Sequence, residues 1–115
     1  MSETLIKLGH HVDKYAASER SVMDDLCTAF NESCLPVAQR LQTFASHVRR
    51  QDISRVLAKH ELFKLSASAN GSIVECGVFG GGGLFSWMHF SAIYEPYNHT
   101  RRVIGFDTFP TSSND

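Results

Sequence analysis

A run of glycines from Gly80 to Gly83 lies between a short apolar segment and a stretch with helical spacing. Glycine has no Cβ, so it permits positive φ angles and the close approach of a backbone to a ligand. The free amides at the start of the following helix attract anionic groups. A glycine turn in this position indicates a cofactor-binding loop.

An acidic residue, Asp107, ends the next apolar segment along the chain, residues 102–107. Ligands of open parallel sheets bind beyond the carboxyl ends of the strands, where a carboxylate can accept hydrogen bonds from ribose hydroxyls. The glycine turn and Asp107 together indicate a nucleoside-bearing cofactor.

Two common nucleotide classes do not fit this turn. A nicotinamide or flavin dinucleotide site reads G-x-G-x-x-G, but Phe79 stands two residues after Gly77. A P-loop requires a lysine after its last glycine, and none lies in the turn. A nicotinamide-binding half-domain stays as an alternative that the missing glycine opposes.

The elements that must position these residues follow from the spacing of apolar side chains. Residues 73–78 and 102–107 are short apolar runs that predict buried strands. Helical spacing begins at about Gly83 and ends before Pro96, which would interrupt a helix. This order predicts one β-α-β unit with a parallel sheet and a right-handed crossover.

Four further residues of this unit can be given an expected role. Glu75 lies within the first strand, where a carboxylate without partners would be costly, so we expect it to support the cofactor loop. Cys76 is expected to be a small core residue rather than a reactive thiol. Trp87 and Phe90 are expected to pack on the sheet rather than to form a base-stacking platform.

Residues 1–68 are interpreted as entirely helical, and residues 69–115 as the start of a Rossmann-like domain of the α/β class. Helices are predicted over 5–15 and from Ser21, Pro36 and Asp52. Their apolar stripes are expected to be core or partner-facing surfaces. The stripe residues after residue 15 are Met23, Leu26, Cys27, Phe30, Val37, Leu41, Phe44, Val48, Ile53, Val56, Leu57 and Phe63.

The composition excludes several classes of protein. The chain has 115 residues, 43% of them hydrophobic, and a formal net charge of −1. It therefore lacks the positive field that drives binding to nucleic acids or anionic membranes. Three cysteines without C-x-x-C spacing oppose a disulfide framework and favour a cytoplasmic location. The histidines form no metal-binding pattern, so no metal ligand is assigned.

Beyond these patterns, residues 71–79 and the glycines after them resemble the cofactor motif of the macrocin O-methyltransferase (TylF-type) family, which uses S-adenosylmethionine. Residues 103–109 resemble the second strand of that family, and residues 49–64 resemble the helix before its first strand. The resemblance covers about residues 45–110. It implies an α/β methyltransferase fold and methyl transfer to a hydroxyl of a sugar or small natural product.

The resemblance also implies roles for individual residues. Gly77, Gly81 and Gly82 would line the methionine part of the cofactor, and Asp107 would hold the ribose. Glu75 would lie near the cofactor's amino group or order the glycine amides. The full set of expected cofactor-binding residues is Glu75, Gly77, Val78, Phe79, Gly81, Gly82, Gly83, Asp107 and Thr108.

The chain departs from the family pattern at Gly83, where a serine is frequent, and at Pro110-Thr111. Magnesium-dependent members of the family take their metal ligands and general base from strands beyond the second. The resemblance thus implies an amino-terminal portion that binds cofactor at most, and no catalytic or metal-binding residue is assigned. The alternative is a noncatalytic helical module that forms homo-oligomers through its apolar helix faces.

Overall fold

The computed structural model describes residues 17–108, which fall into two compact units divided between Ile53 and Ser54. The helix predicted over residues 5–15 lies outside the described residues. No helix in the described part of the chain is long and apolar enough to cross a membrane.

The first unit contains helix α1, Ala17–Glu32, and the short helix α2, Val37–Gln42. A single turn of 3-10 helix, Phe44–Ser46, follows α2. The longer helix expected from Pro36 therefore ends early. Thr43 terminates it, because its hydroxyl donates to the carbonyl of Gln39 at 2.8 Å and its backbone leaves the helical region.

Side chains from α1 and α2 meet around one aromatic ring. The guanidinium carbon of Arg40 lies 4.9 Å from the centroid of the Phe30 ring, and its Nη1 donates to the Phe30 carbonyl at 2.9 Å. The ring of His47 meets Phe30 edge-on, with centroids 5.2 Å apart. A cation–π contact and a hydrogen bond thus hold the end of α1 to α2.

Helix α3 spans Arg50–Ser66, so Asp52 lies inside its first turn rather than at the predicted N-cap position. The Asp52 carboxylate still caps the helix, because it accepts the backbone amide of Arg49 at 3.0 Å. It also binds the Arg49 guanidinium through two hydrogen bonds of 3.0 and 3.1 Å.

The second unit contains a two-stranded parallel sheet of β1, Ile73–Cys76, and β2, Val103–Phe106. Helix α4, Gly82–Tyr94, connects the strands. The register pairs Ile73 with Val103 and Cys76 with Phe106. This arrangement confirms the predicted β-α-β unit.

The two faces of the sheet differ in burial. The face that carries Glu75 and Gly105 is half-buried and lies under the turn and the first residues of α4. The opposite face is exposed, with Val74 at 56% and Phe106 at 58% relative exposure. The expectation that Cys76 is a core residue was wrong, because side chains alternate along a strand and Cys76 points to this exposed face.

The core of the second unit forms between α3 and α4. Phe63 is 1% exposed and Phe90 is 8% exposed, and their ring centroids are 5.8 Å apart. Trp87 packs edge-on against Phe90 at 6.0 Å. Phe90 is therefore buried against α3 and does not form an exposed stacking surface.

Candidate cofactor-binding site

The glycine turn begins where the sheet ends. The amide of Gly77 donates to the carbonyl of Phe106 at 2.8 Å, which is the last bond between the strands. The backbone then takes positive φ angles of 79° at Gly77, 51° at Phe79 and 85° at Gly81. A hydrogen bond of 2.9 Å from the Gly81 amide to the Val78 carbonyl closes the turn.

Asp107 follows β2 directly, and its carboxylate reaches the glycine turn. Its Oδ2 accepts the amide of Phe79 at 2.8 Å, and its Oδ1 accepts the amide of Thr108 at 2.7 Å. These bonds, with that from Phe79 first, hold the pKa of Asp107 below its usual range. The side chain is exposed and ionised, and Oδ1 also accepts the Thr108 hydroxyl through a long bond of 3.4 Å, which a ligand hydroxyl can replace.

Helix α4 presents its amino terminus to the same region. Gly81 is the N-cap residue and no side chain caps the helix. The first backbone bond of the helix runs from the Phe85 amide to the Gly81 carbonyl at 2.8 Å. The amides before Phe85 lie at the positive end of the helix dipole, which suits an anionic ligand group.

The glycines leave open space along the turn. A Cβ placed on Gly77, Gly80 or Gly82 would meet no heavy atom within 4 Å. A Cβ on Gly81 would lie 3.2 Å from the ring of Phe85. The three open positions therefore allow a ligand to approach the backbone directly.

Glu75 lies against the start of α4. A Cβ on Gly83 would lie 2.9 Å from Oε2 and 3.0 Å from Cδ of Glu75, and closer still to Oε1. The Oε2 atom is buried and has no hydrogen-bond partner within the described residues. Glycine at position 83, where the resembled family often has serine, thus makes room for the Glu75 carboxylate, whose Oε2 is buried.

The structure brings most of the expected cofactor residues to the carboxyl edge of the sheet. Phe79, Asp107 and Thr108 share hydrogen bonds, and Glu75 contacts the position of Gly83. Val78 is buried, with 7% relative exposure.

Sequence reasoning missed the role of Gly105. A Cβ there would lie 2.6 Å from Cγ2 of Val78 and 3.2 Å from two atoms of Leu84. Gly105 therefore lets the turn and α4 approach β2 closely. A glycine in the middle of an apolar strand was the signal that could have revealed this close approach.

The types of groups at this site indicate which ligands it can bind. Among residues 17–108 no group of three or more histidine, cysteine, aspartate or glutamate side chains could hold a metal ion. The groups that converge here are backbone amides and two carboxylates, which recognise hydroxyl, ammonium and carboxylate groups of a ligand.

No family model matches the chain, and no curated protein matches it. Similar solved structures exist. One is the apo structure of CalS11, described as a TDP-rhamnose 3′-O-methyltransferase and an enzyme in calicheamicin biosynthesis, with a TM-score of 0.80 and 27% identity. A second structure of CalS11, described as a calicheamicin methyltransferase, has a TM-score of 0.78 and 28% identity.

These similarities extend over most of the chain but not over most of the solved structures. The first match covers 86% of this chain and 43% of CalS11, and the second covers 83% and 37%. The chain thus spans less than half the length of the structures that it matches. Its helical region and β-α-β unit match part of a methyltransferase fold.

Proposed function

We propose that this chain carries the cofactor-binding part of an S-adenosylmethionine-dependent O-methyltransferase of the macrocin type. The observation that carries the proposal is the position of the Asp107 carboxylate, which is exposed beside the glycine turn, at the carboxyl end of β2. The similarity to CalS11 supports a hydroxyl of a sugar or small natural product as the methyl acceptor.

Each group of the site has a counterpart on this cofactor. The exposed carboxylate oxygens of Asp107 suit the vicinal hydroxyls of a ribose, one of which would replace the Thr108 hydroxyl at Oδ1. The uncapped amino terminus of α4, at Gly82 and Gly83, suits the carboxylate of the methionine part. The buried Oε2 of Glu75, which has no hydrogen-bond partner among residues 17–108, suits the ammonium group next to that carboxylate.

When bound, the cofactor supplies a methyl group attached to a positively charged sulfur. The residues described here bind and orient it, and the open faces of Gly77 and Gly82 let it approach the backbone. We assign no catalytic residue and no metal ligand to this chain. A general base and, in a magnesium-dependent enzyme, the metal-binding carboxylates would come from further strands.

Isothermal titration with S-adenosylhomocysteine tests this proposal. The full chain is expected to bind it, and Asp107→Ala is expected to weaken binding by about tenfold or more, since a charged acceptor is lost. Asp25→Ala removes an exposed carboxylate from α1 and serves as the matched control. NAD⁺ tests the nicotinamide alternative, and tighter binding of NAD⁺ than of S-adenosylhomocysteine would refute the methyltransferase assignment.

A second candidate function is self-association through the helical region. Val37, Leu41 and Phe44 have spacings of four and three residues and relative exposures of 56%, 62% and 57%. Val37 and Leu41 are one turn apart on α2, and Phe44 belongs to the 3-10 turn that follows. Exposed apolar side chains are a feature of interaction surfaces where they cluster. Sedimentation of the chain should show a dimer that Leu41→Lys dissociates, whereas a monomer at all concentrations would exclude this function.

We propose a domain organisation in which residues 1–68 form a helical region and residues 69–115 form the start of the cofactor-binding domain. We also propose a cytoplasmic location, since the three cysteines of the chain have no disulfide or metal-binding spacing. Cys27, Cys34 and Cys76 are all free thiols.

A further inference from the structure

Phe79 has a backbone conformation that its side chain disfavours. Its φ angle is 51°, and it is the single non-glycine residue with positive φ between residues 17 and 108. For a residue with a Cβ, left-handed backbone carries a steric cost, so surrounding contacts must hold it in place. Phe79 is 70% exposed, and burial of its side chain does not supply that restraint.

The restraint comes from the backbone of the same residue. The Phe79 amide donates to Oδ2 of Asp107 at 2.8 Å, across 28 positions of sequence. Oδ1 of the same carboxylate accepts the Thr108 amide at 2.7 Å, which fixes the orientation of the carboxylate. Asp107 therefore ties the glycine turn after β1 to the end of β2.

We propose that Asp107 is the positioning residue that holds the glycine turn in its cofactor-ready shape, by binding the amide of the strained residue Phe79. This inference rests on the proposed function for the identity of the ligand. It adds a second role to the carboxylate, because the group that receives the ribose also orders the loop that receives the methionine part.

The two roles use different acceptor positions of one carboxylate. Oδ2 accepts the Phe79 amide, and Oδ1 accepts the Thr108 amide and, at 3.4 Å, the Thr108 hydroxyl. A ribose hydroxyl can replace that long hydroxyl bond, so a vicinal diol can bind without breaking the bond to Phe79. Asparagine at position 107 replaces one of these two oxygens by an NH2 group, which donates and does not accept, so one of the two amides loses its acceptor. Loss of the charge should therefore loosen the turn in the absence of any ligand.

Hydrogen exchange of the full chain, followed by NMR without ligand, tests the positioning role. The reporter is the Gly81 amide, whose bond to the Val78 carbonyl closes the turn. In Asp107→Asn this amide should exchange about tenfold faster, as expected for loss of a hydrogen bond to a charged group. Asp25→Asn makes the same chemical change at an exposed position of α1 and should leave the exchange unchanged.

A second variant separates positioning from a general loss of structure. Phe79→Gly removes the steric cost of the left-handed backbone, so the turn no longer needs the carboxylate to hold it. In the double variant Phe79→Gly/Asp107→Asn, the Gly81 amide should return to within about twofold of its original exchange rate. Unchanged exchange in Asp107→Asn, or no rescue in the double variant, would overturn the proposal.

Adenosine and 2′-deoxyadenosine probe the ligand side of the same residue. The unaltered chain should prefer adenosine by about tenfold, and the double variant should lose this preference although its turn is ordered. Retention of the preference in the double variant would contradict the role of Asp107 in binding the diol. If the unaltered chain binds neither nucleoside, the proposed cofactor is wrong, while the exchange data still decide the positioning role.

Discussion

Arg101 binds both carboxylate oxygens of Glu95, with Nε 2.6 Å from Oε2 and Nη2 2.8 Å from Oε1. The side chains are 6% and 13% exposed. The same guanidinium donates to the carbonyls of Gly71 at 3.1 Å and Ala69 at 3.0 Å. One arginine thus joins the end of α4 to the loops that enter both strands, at the edge opposite the glycine turn.

Truncation of Arg101 should destabilise the second unit strongly. Arg101→Ala leaves the partly buried Glu95 carboxylate without its partner, and we expect a loss of about 2 kcal/mol in the free energy of unfolding. Arg101→Lys keeps the charge but cannot reach the carboxylate and the carbonyls together, so it should rescue only part of this loss. Urea denaturation followed by fluorescence of the single tryptophan, Trp87 on α4, measures both variants.

The pH dependence of stability should reveal the same pair. The hydrogen bond from Arg101 holds the pKa of Glu95 below its usual value of 4.5. A carboxyl whose pKa is lower in the folded than in the unfolded state stabilises the protein. This stabilisation is fully present at pH values above the unfolded-state pKa, and it is lost as the pH falls through the folded-state pKa. Glu95→Gln should therefore show a flatter loss of stability in acid. An identical acid profile in the variant would show that the pair does not contribute.

A methyl group at Gly105 should be poorly tolerated. The new Cβ would lie 2.6 Å from Val78, which is buried, so turn and strand would have to separate. We expect Gly105→Ala to cost about 2 kcal/mol of unfolding free energy. Gly80→Ala is the matched control, because its Cβ would meet no atom within 4 Å. Equal melting temperatures for the two variants would contradict the close approach at Gly105.

Ligand binding should depend on Gly83 through Glu75. A Cβ at position 83 displaces the Glu75 carboxylate, so Gly83→Ala should weaken S-adenosylhomocysteine binding and add little once Glu75→Gln has removed the charge. Gly82→Ala blocks open space and should weaken binding independently of Glu75→Gln. Titration calorimetry of the two double-variant cycles measures the difference. If the effects of Gly83→Ala and Glu75→Gln on binding were additive, Glu75 would not be the group through which Gly83 acts on the ligand.

A hydrogen bond links helices α3 and α4 at the surface of the second unit. Nε2 of His60 lies 2.6 Å from the Tyr94 hydroxyl, and the two rings are 5.4 Å apart. Tyr94→Phe should cost about 0.5 to 1 kcal/mol of unfolding free energy, because the hydrogen bond is lost and the ring remains. Tyr97→Phe is the control, since Tyr97 is 89% exposed. Equal melting temperatures of Tyr94→Phe and Tyr97→Phe would show that the hydrogen bond between His60 and Tyr94 does not stabilise the protein.

The short-range parts of the fold were predictable from local chemistry. Apolar runs ended by glycines and by Asp107 located both strands to within two residues, and Pro96 bounded α4. The long helix expected from Pro36 was not correct, because periodicity alone does not show that Thr43 satisfies the last carbonyls of α2 with its own hydroxyl. The exposure of the Cys76 side chain also could not be derived, since strand periodicity does not reveal which face of the sheet is covered.

The sequence by itself determined the order of strand, glycine turn, helix and strand, and the residue types at the carboxyl edge of the sheet. These follow from hydrophobic spacing and from the backbone freedom of glycine, which are properties of neighbouring residues. Only the tertiary structure decided that Asp107 binds the Phe79 amide, that Gly83 faces Glu75 and that Gly105 faces Val78. Parallel pairing of β1 with β2 brings Asp107 to Phe79 and Gly105 to Val78, which are distant in sequence, whereas the turn into α4 places Gly83 against Glu75.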